Sequence, residues 1–526
     1  MRFDRRARTG LLLGAVAQFL ALCTAFLASL FGFAFAPAAL GQAIIEVLPG
    51  WISVPLIELL QFWAQRLLVA SALVAFVVCG AIAGALALDP RRRTSTVVLV
   101  GAAPWAGAAL LAALFASSQI PLAASLVGAG IGLAAYFGTL ALLADGAAAA
   151  DGAAAADGAG GPVASGEPVA SPDRRRALLG AMAVGVVVAV GGLAGGRQLR
   201  AIGAQAAHVK QAARRLKFTE TVRPGDPAFD AVPKITPRLT DINDHYTVDT
   251  ALIDPRVDAA RWKLEIGGAV DNPFSITYDE LLDLEAVEQL HTLECISNEV
   301  GGDLIGTALW TGVPLRDLLE RARPQAGAFD VVLRSVDGYT DSIRVAKALE
   351  PKTIVAYLMN GYTLPEEHGY PARVLVPNIY GMKNVKWLAK IEVVTTDFQG
   401  YWMERGWSDL AVVNTHSRID TPFRVRWDGG QVPLGGIANA GSRNIARVEI
   451  SLDGGARWTD VELEEPLGPL TWRRWRYLWT PPGTGKHVVL IRATDGEGRL
   501  QTATKRSPFP SGSTGYDSIE LDVTRA

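Results

Sequence analysis

The stretch HTLECISNEVGGD, residues 291–303, contains Cys295, the one cysteine of three that lies outside the apolar first third of the chain. A single thiol cannot form a disulfide within its own domain. Cys295 is therefore an inert core residue, half of an intermolecular bridge, a nucleophile or a metal ligand. The Ser-Asn-x-x-Gly-Gly that follows is typical of a tight loop after a strand, where backbone approaches a bound group closely.

Long apolar runs dominate the first 196 of the 526 residues. Each is long enough to cross a bilayer core, which takes roughly 20 residues; the runs are 11–36, 67–88, 96–116, 120–143 and 177–195. The first run is too long, and is followed by too many others, for a cleaved signal peptide. The sequence therefore predicts an α-helical membrane bundle of about five spans in residues 1–196, interrupted by a low-complexity linker at 144–173.

Arginine-rich segments set the expected orientation of this bundle. They precede the first run (residues 2–8), follow the second (91–93) and precede the fifth (174–176), while the alternate loops are poor in Lys and Arg. The positive-inside rule then places the N-terminus in the cytoplasm and everything after residue 196 on the extracytoplasmic side of the plasma membrane. A basic cluster at 197–217 argues for the opposite side. The three arginines at 174–176 fit a twin-arginine export signal as well as an ordinary anchor.

Histidine first occurs at position 208. The expected spans therefore lack the His pairs that hold a b-type haem, and we expect no haem and a membrane part that serves as an anchor or docking surface. The formal net charge of −2 gives no reason to expect a nucleic-acid partner.

The pattern of apolar and turn-forming residues divides the chain after the membrane region into three parts. A juxtamembrane linker covers 197–238. In 239–415, strand-like segments at 331–334, 353–356, 372–376 and 386–394 alternate with short helices and loops, which predicts one α+β domain. From 416 to 526, short alternating strands separated by Gly- and Pro-containing turns predict an all-β immunoglobulin-like sandwich.

Motifs in the α+β domain resemble those of the sulfite oxidase family of molybdenum enzymes. LECISN (293–298) and WTGVPLRDLL (310–319) resemble that family's cysteine loop and following helix. The segment from YLMNG (357–361) through LP (364–365) to HGYPAR (368–373) and the loop YGMKNVKW (380–387) resemble two further family motifs. Together they cover about residues 243–407, in the family's order and spacing.

This resemblance implies a pyranopterin dithiolene that holds molybdenum, with Cys295 as the protein's metal ligand. A thiolate adds a third soft sulfur donor to the two of the dithiolene. The pterin phosphate is expected to bind basic side chains and backbone N–H groups, here His368, Arg373, Asn384, Val385 and Lys386. By similarity to bacterial periplasmic members, further cofactor contacts are expected from Asn243, Tyr246, Thr247 and Ser335.

The position of the family's active-site tyrosine is occupied by Tyr339, whose phenol either assists proton transfer, holds an oxo group or is a plain strand-end residue. Sulfite oxidases proper also have cations that hold the sulfite dianion. The corresponding positions here are Glu299, Val300 and Asn243, so we expect poor binding of a dianion.

The sequence thus predicts a membrane-anchored molybdenum-cofactor oxidoreductase that transfers an oxygen atom to or from a small substrate and exchanges electrons with a separate partner. Residues 448–458 resemble the family's C-terminal dimerisation module, which implies a homodimer, although a membrane-anchored monomer is an alternative. A cofactor-free receptor or scaffold, or a sulfur-ligated metal carrier, is the alternative function.

Overall fold

The computed structural model describes residues 5–29, 64–87, 100–108, 129–140, 210–251 and 254–526, together with a few isolated positions between 35 and 143. The chain forms two compact units, one from the N-terminal region and one that begins at residue 204. Each unit is considered by itself.

Within the described part of the first unit, two helices are long and apolar enough to cross a membrane by length and composition. They are Arg5–Ser29 and Ala64–Ala87, with mean hydropathies of 2.1 and 2.5 over their apolar segments. The expectation of about five spans is wrong. Two such helices are found among the described residues, where the fourth apolar run contributes the shorter helix Ala129–Leu140. The third run is described only in part, and the run at 177–195 lies outside the described residues.

The two long helices pack through glycines. A Cβ added to Gly14 would lie 2.1 Å from the carbonyl oxygen of Gly80, and one added to Gly84 would lie 2.3 Å from that of Gly10. Only glycine allows the backbones to approach this closely, which is a packing mode common between apolar helices.

The second unit begins with strands β1 to β11. Their ranges are β1 Leu216–Thr219, β2 Lys263–Gly268, β3 Phe274–Thr277, β4 Ala286–Glu294, β5 Ile305–Pro314, β6 Asp330–Ser335, β7 Thr340–Arg344, β8 Ile354–Met359, β9 Tyr362–Thr363, β10 Arg373–Leu375 and β11 Leu388–Val394. One sheet has the order β1-β4-β5-β8-β10, with β9 paired to β8, and the other has the order β3-β2-β11-β6-β7. Short helices lie between the strands: Pro227–Asp230, Tyr278–Leu282, Leu315–Ala322 and Val345–Ala348.

The two sheets enclose one apolar core. Leu264, Leu333 and Ile391 of one sheet pack in the same cluster as Val355 and Val374 of the other. Strand β8, with the sequence IVAYLM, is buried along its whole length, as expected for a continuous apolar run at the centre of a covered sheet. The core fixes the position of β4. Cys295 is the first residue after the end of this strand.

The remaining strands form two further sheets. Their ranges are β12 His416–Thr421, β13 Arg424–Trp427, β14 Val432–Asn439, β15 Ile445–Ser451, β16 Thr459–Asp460, β17 Glu462–Leu463, β18 Arg473–Trp479, β19 Gly485–Asp495 and β20 Asp517–Arg525. The orders are β12-β14-β18-β17 and β13-β20-β19-β15-β16. Trp475 of the first sheet and Ile491 of the second share one core, so this region is a two-layer β-sandwich.

Replacing Leu333 by alanine tests the packing of the first core. The side chain is fully buried on β6, so Leu333→Ala is expected to lower the free energy of unfolding by about 2–5 kcal/mol. Leu349→Ala is the control, because that leucine is 38% exposed, and a loss below about 1 kcal/mol is expected. Urea denaturation of the full chain measures both, and equal losses would contradict the burial of Leu333.

Candidate active site

Cys295 begins the loop that joins β4 to β5. Its backbone N–H donates to the carbonyl of Leu304 (2.9 Å), and its own carbonyl accepts from the N–H of Asn298 (3.0 Å). The Asn298 side chain closes the loop by accepting from the N–H of Leu304 at 3.0 Å. The thiol is buried, with its Sγ 2.9 Å from Ser297 Oγ, and burial raises the pKa of the thiol.

A second loop lies directly against Cys295. A Cβ added to Gly381 would lie 2.7 Å from Tyr246 Oη, 3.3 Å from the carbonyl oxygen of Glu294 and 3.9 Å from Cys295 Cα. Glycine is therefore required where the loop 380–387 meets the cysteine. Burial, followed by the charge of Cys295, raises the pKa of Tyr246. Two residues predicted from sequence, Cys295 and Tyr246, are brought together here.

Arg373 supplies a buried positive charge. Its Nη1 donates to the carbonyl of His368 (3.2 Å) and its Nη2 to that of Asn384 (3.0 Å), while its Nε has no hydrogen-bond partner. None of the carboxylates among the described residues forms an ion pair with it. Burial lowers the pKa of Arg373 to about 10, which leaves the guanidinium charged at neutral pH. A buried cation with a spare donor is suited to binding an anion.

The histidines beside Arg373 do not add charge. His245 packs edge-on against His368, with ring centroids 5.4 Å apart. Burial lowers the pKa of His245 to about 4 and that of His368 well below its ordinary value. Ring nitrogen Nε2 of His368 lies 3.0 Å from the carbonyl oxygen of Ile242. Both rings are neutral at pH 7, so His368 shapes the site rather than charging it.

Asn384 and Val385 also shape the loop. The Asn384 side chain accepts from the N–H of Val376 (2.6 Å) and donates to the carbonyls of Ile379 and Tyr380. Both ends of its amide are thus used within the loop, and its backbone carbonyl holds Arg373. Val385 is buried, and its carbonyl accepts from the N–H of Val374.

The other expected cofactor contacts differ in exposure. Lys386 donates from Nζ to the carbonyl of Glu367 (2.8 Å) and forms an ion pair with Asp249. Ser335 is buried, and its Oγ accepts from the N–H of Asp337. Asn243 and Thr247 are exposed. Asn243 donates from its side chain to Asp241, within the turn that leads to the buried His245.

Tyr339 is part of a buried polar network. Its hydroxyl donates to the carbonyl of Met382 (2.7 Å) and lies 3.0 Å from Asp341 Oδ2. Burial and the charge of Asp341 raise the pKa of Tyr339 well above its ordinary value. The ammonium of Lys383 is 2.9 Å from Asp341 Oδ1 and 3.2 Å from Asp409 Oδ1. The network ties Tyr339 to the loop that contacts Cys295.

Sequence reasoning missed Asp341 and Lys383 as members of the site. Lys383 lies at a basic position of the motif 380–387. This position is the sequence feature that identifies Lys383 as a candidate member of the site. Nothing in the local sequence around Asp341 indicates that its carboxylate is fully buried and paired, because its partner lies 42 residues away.

Residues 251–402 match the family model of the oxidoreductase molybdopterin binding domain. Rat (Rattus norvegicus) mitochondrial sulfite oxidase is 29% identical over 299 residues, which are 48% of this chain and 55% of that protein. Barley (Hordeum vulgare) nitrate reductase is 28% identical over 318 residues, 48% of this chain and 35% of that protein.

A solved structure with a similar fold is the sulfane dehydrogenase SoxCD from Paracoccus pantotrophus, which is 21% identical with a TM-score of 0.49 and covers 61% of this chain and 92% of that one. The chain spans about half the length of the mammalian sulfite oxidases that it matches. The family match identifies residues 251–402 as a molybdopterin-binding oxidoreductase domain. Over about half of its length the chain is similar to sulfite oxidases, which confirms the resemblance drawn from the sequence motifs.

The described residues fit the cofactor that this family implies. The site contains a buried thiol, a glycine without a side chain beside it and, at the start of β10, a buried guanidinium with an unpartnered Nε. Tyr246 links them, because the charges of both Cys295 and Arg373 act on its phenol. A sulfur ligand and an anion-binding cation are the groups that a metal dithiolene with a phosphate requires.

Removing the ammonium of Lys383 tests the buried network. Lys383→Met leaves Asp341 without its ion-pair partner in the interior, so we expect the free energy of unfolding to fall by about 3–5 kcal/mol. The double variant Lys383→Met/Asp341→Asn removes the charge as well and is expected to recover most of this loss. Urea denaturation of the full chain measures both. Additive losses in the double variant would contradict the pairing.

The pH dependence of stability tests the burial of His291 on β4. Burial lowers the pKa of His291 to about 3, below the ordinary value of about 6.5. As the pH falls from 7 to 4.5 the unfolded chain takes up a proton that the folded chain does not, so stability is lost, by roughly 2–3 kcal/mol from this group. In His291→Leu, the free energy of unfolding is expected to fall by roughly 2–3 kcal/mol less between pH 7 and pH 4.5 than in the wild type. An unchanged pH dependence in urea titrations would contradict the lowered pKa.

Proposed function

We propose that this protein is a membrane-attached molybdenum-cofactor oxidoreductase that transfers an oxygen atom to or from a small substrate. The observation that carries the proposal is a buried guanidinium without a carboxylate partner in the same site as a buried cysteine thiol. A folded protein tolerates an uncompensated interior cation poorly, so a bound anion is expected to complete the site.

The expected holders of the cofactor follow from the contacts. Cys295 Sγ would ligate the metal, and Arg373 and Lys386 would hold the phosphate, with backbone N–H groups of the loop 380–387. Asn384 and His368 keep Arg373 in place through their carbonyls. When bound, the cofactor supplies the two-electron oxygen-atom chemistry.

Tyr339 is proposed to hold a proton at the site. Its raised pKa keeps the phenol protonated, and its contacts with Met382 and Asp341 fix the hydroxyl in position. A phenol that stays neutral holds its proton without adding charge to the site. Asn243 and Thr247, both exposed, are proposed to contact the cofactor only at its rim.

The substrate class is proposed from the charges near the cysteine. Glu299 is exposed on the cysteine loop, and the positions that carry arginines in sulfite oxidases proper are Glu299, Val300 and Asn243. A site with a carboxylate at its edge disfavours a dianion such as sulfite. An uncharged S- or N-oxide, reduced with electrons from a separate partner, is therefore the favoured substrate class.

Attachment to the membrane is proposed from the two long apolar helices of the first unit. The extracytoplasmic position of the catalytic unit stays a prediction. So do the boundaries 239–415 and 416–526 of the oxidoreductase domain and the sandwich, and the formation of a homodimer through the sandwich.

Metal and pterin content tests the proposal. The full chain is expressed in a host that makes the cofactor and is purified in detergent. About one molybdenum and one pterin per chain are expected. Arg373→Met removes the buried positive charge and its unpartnered Nε donor, so its pterin occupancy is expected to fall at least tenfold, since about 1.4 kcal/mol corresponds to a factor of ten.

Arg261→Met is the matched control, because that side chain is 90% exposed, and its pterin content is expected to equal that of the wild type. A wild-type chain without metal and pterin would overturn the enzyme proposal and favour a cofactor-free binding domain. Equal pterin content in Arg373→Met and Arg261→Met would overturn the role of Arg373.

A further inference from the structure

We propose that the C-terminal β-sandwich positions the metal-ligating cysteine: Asn439 donates to the carboxylate of Glu294, the residue before Cys295, and His416 lies against the same carboxylate. This inference rests on the proposed function. It gives the sandwich a function at the active site, separate from any function in dimer formation.

The contact is built from two paired strands. His416 of β12 and Asn439 of β14 lie directly opposite each other in the antiparallel pair. Asn439 Nδ2 donates to Glu294 Oε2 at 3.1 Å, and His416 Nδ1 lies 3.3 Å from the same oxygen. Because both residues belong to one ladder, they approach the carboxylate as a fixed pair.

The cysteine loop itself supplies the remaining contact with this carboxylate. Asn298 Nδ2 donates to Glu294 Oε1 at 3.3 Å, and the same side chain accepts from the N–H of Leu304. Glu294, Asn298 and Asn439 are each less than 5% exposed. A carboxylate buried this deeply requires hydrogen-bond donors around both oxygens, so its donors determine where it lies.

The position of Glu294 affects Cys295 through the backbone. Glu294 is the last residue of β4, and in extended chain consecutive side chains point to opposite sides. Holding the carboxylate on the side of the sandwich therefore directs the next side chain away from it. The carbonyl of Glu294 and Cys295 Cα both face Gly381, which limits rotation of this peptide from the other side.

The sandwich also holds the two flanks of the loop. The N–H of Trp472 donates to Thr292 Oγ1 at 3.0 Å, and Arg418 Nη1 donates to the carbonyl of Gly302 at 2.8 Å. A Cβ at Gly301, which has a positive φ of 80°, would lie 2.8 Å from Asp517 Oδ1. Residues from the sandwich thus fix the loop both before and after Cys295.

The variant Asn439→Asp tests the contact with little change in shape. It replaces the donor by a second carboxylate that faces Glu294. In the double variant Glu294→Gln/Asn439→Asp, the donor and the acceptor are exchanged, which restores a hydrogen bond. Gln501→Ala is the matched control: Gln501 is buried in the same sandwich and bonds to Ser417 Oγ and the carbonyl of Gly515, which are not part of the cysteine loop.

Two measurements on the full chain report the position of Cys295. The first is the alkylation rate of Cys295 in chain made without cofactor, followed by peptide mass spectrometry. The second is the electron paramagnetic resonance spectrum of Mo(V) in the loaded protein. We expect Asn439→Asp to raise the alkylation rate at least tenfold, the factor for one buried hydrogen bond of about 1.4 kcal/mol, and to shift the spectrum.

The double variant is expected to return both readouts towards the wild type, and Gln501→Ala to lower stability while leaving both unchanged. If Asn439→Asp does not fold, Asn439→Ser, which is too short to reach Glu294, replaces it with the same expectation. Wild-type alkylation and spectra in these variants, or equal changes in Gln501→Ala, would overturn the inference. A wild-type chain without molybdenum would overturn the proposed function, and the alkylation rates would still test the positioning of Cys295.

Discussion

The constraint on which the site depends is the burial of the Arg373 guanidinium, which forms no ion pair with a carboxylate among the described residues. Desolvating a cation costs several kcal/mol, and here the cost is offset by the carbonyls of His368 and Asn384 and by the face of Trp310, 5.3 Å from the guanidinium carbon. These partners belong to three separate segments. The guanidinium joins these segments through its contacts with them. Its Nε remains as one donor for an anion.

The second element of the site, the cysteine loop, is positioned from two directions. On one side Gly381 approaches so closely that a methyl group would collide with Tyr246. On the other side the sandwich contacts Glu294, Thr292 and Gly302. Neither side is adjacent in sequence to Cys295. The cysteine therefore depends on the folding of both parts of the catalytic unit, which is consistent with their forming one compact unit.

The sequence predicted the catalytic unit better than the membrane region, for a physical reason. Motifs such as HGYPAR specify the residue type at a position where the bound group requires a particular side chain. Arg373 is therefore predictable from the sequence. Apolar composition does not fix helix length, and among the described residues of the first unit two helices are long and apolar enough to cross a bilayer. Asp341, Lys383 and the Glu294 contacts were missed because their partners lie 42 to 145 residues away, where no local pattern reports them.

X-ray absorption at the molybdenum edge tests the central claim most directly, because it counts the sulfur atoms bound to the metal. The account predicts a third sulfur ligand in the wild-type chain beyond the two of the dithiolene, and its loss in Cys295→Ser. Gly381 and Arg373 are unchanged in that variant, so the pterin should remain bound. An identical sulfur count in the two proteins would contradict the assignment of Cys295 as the metal ligand.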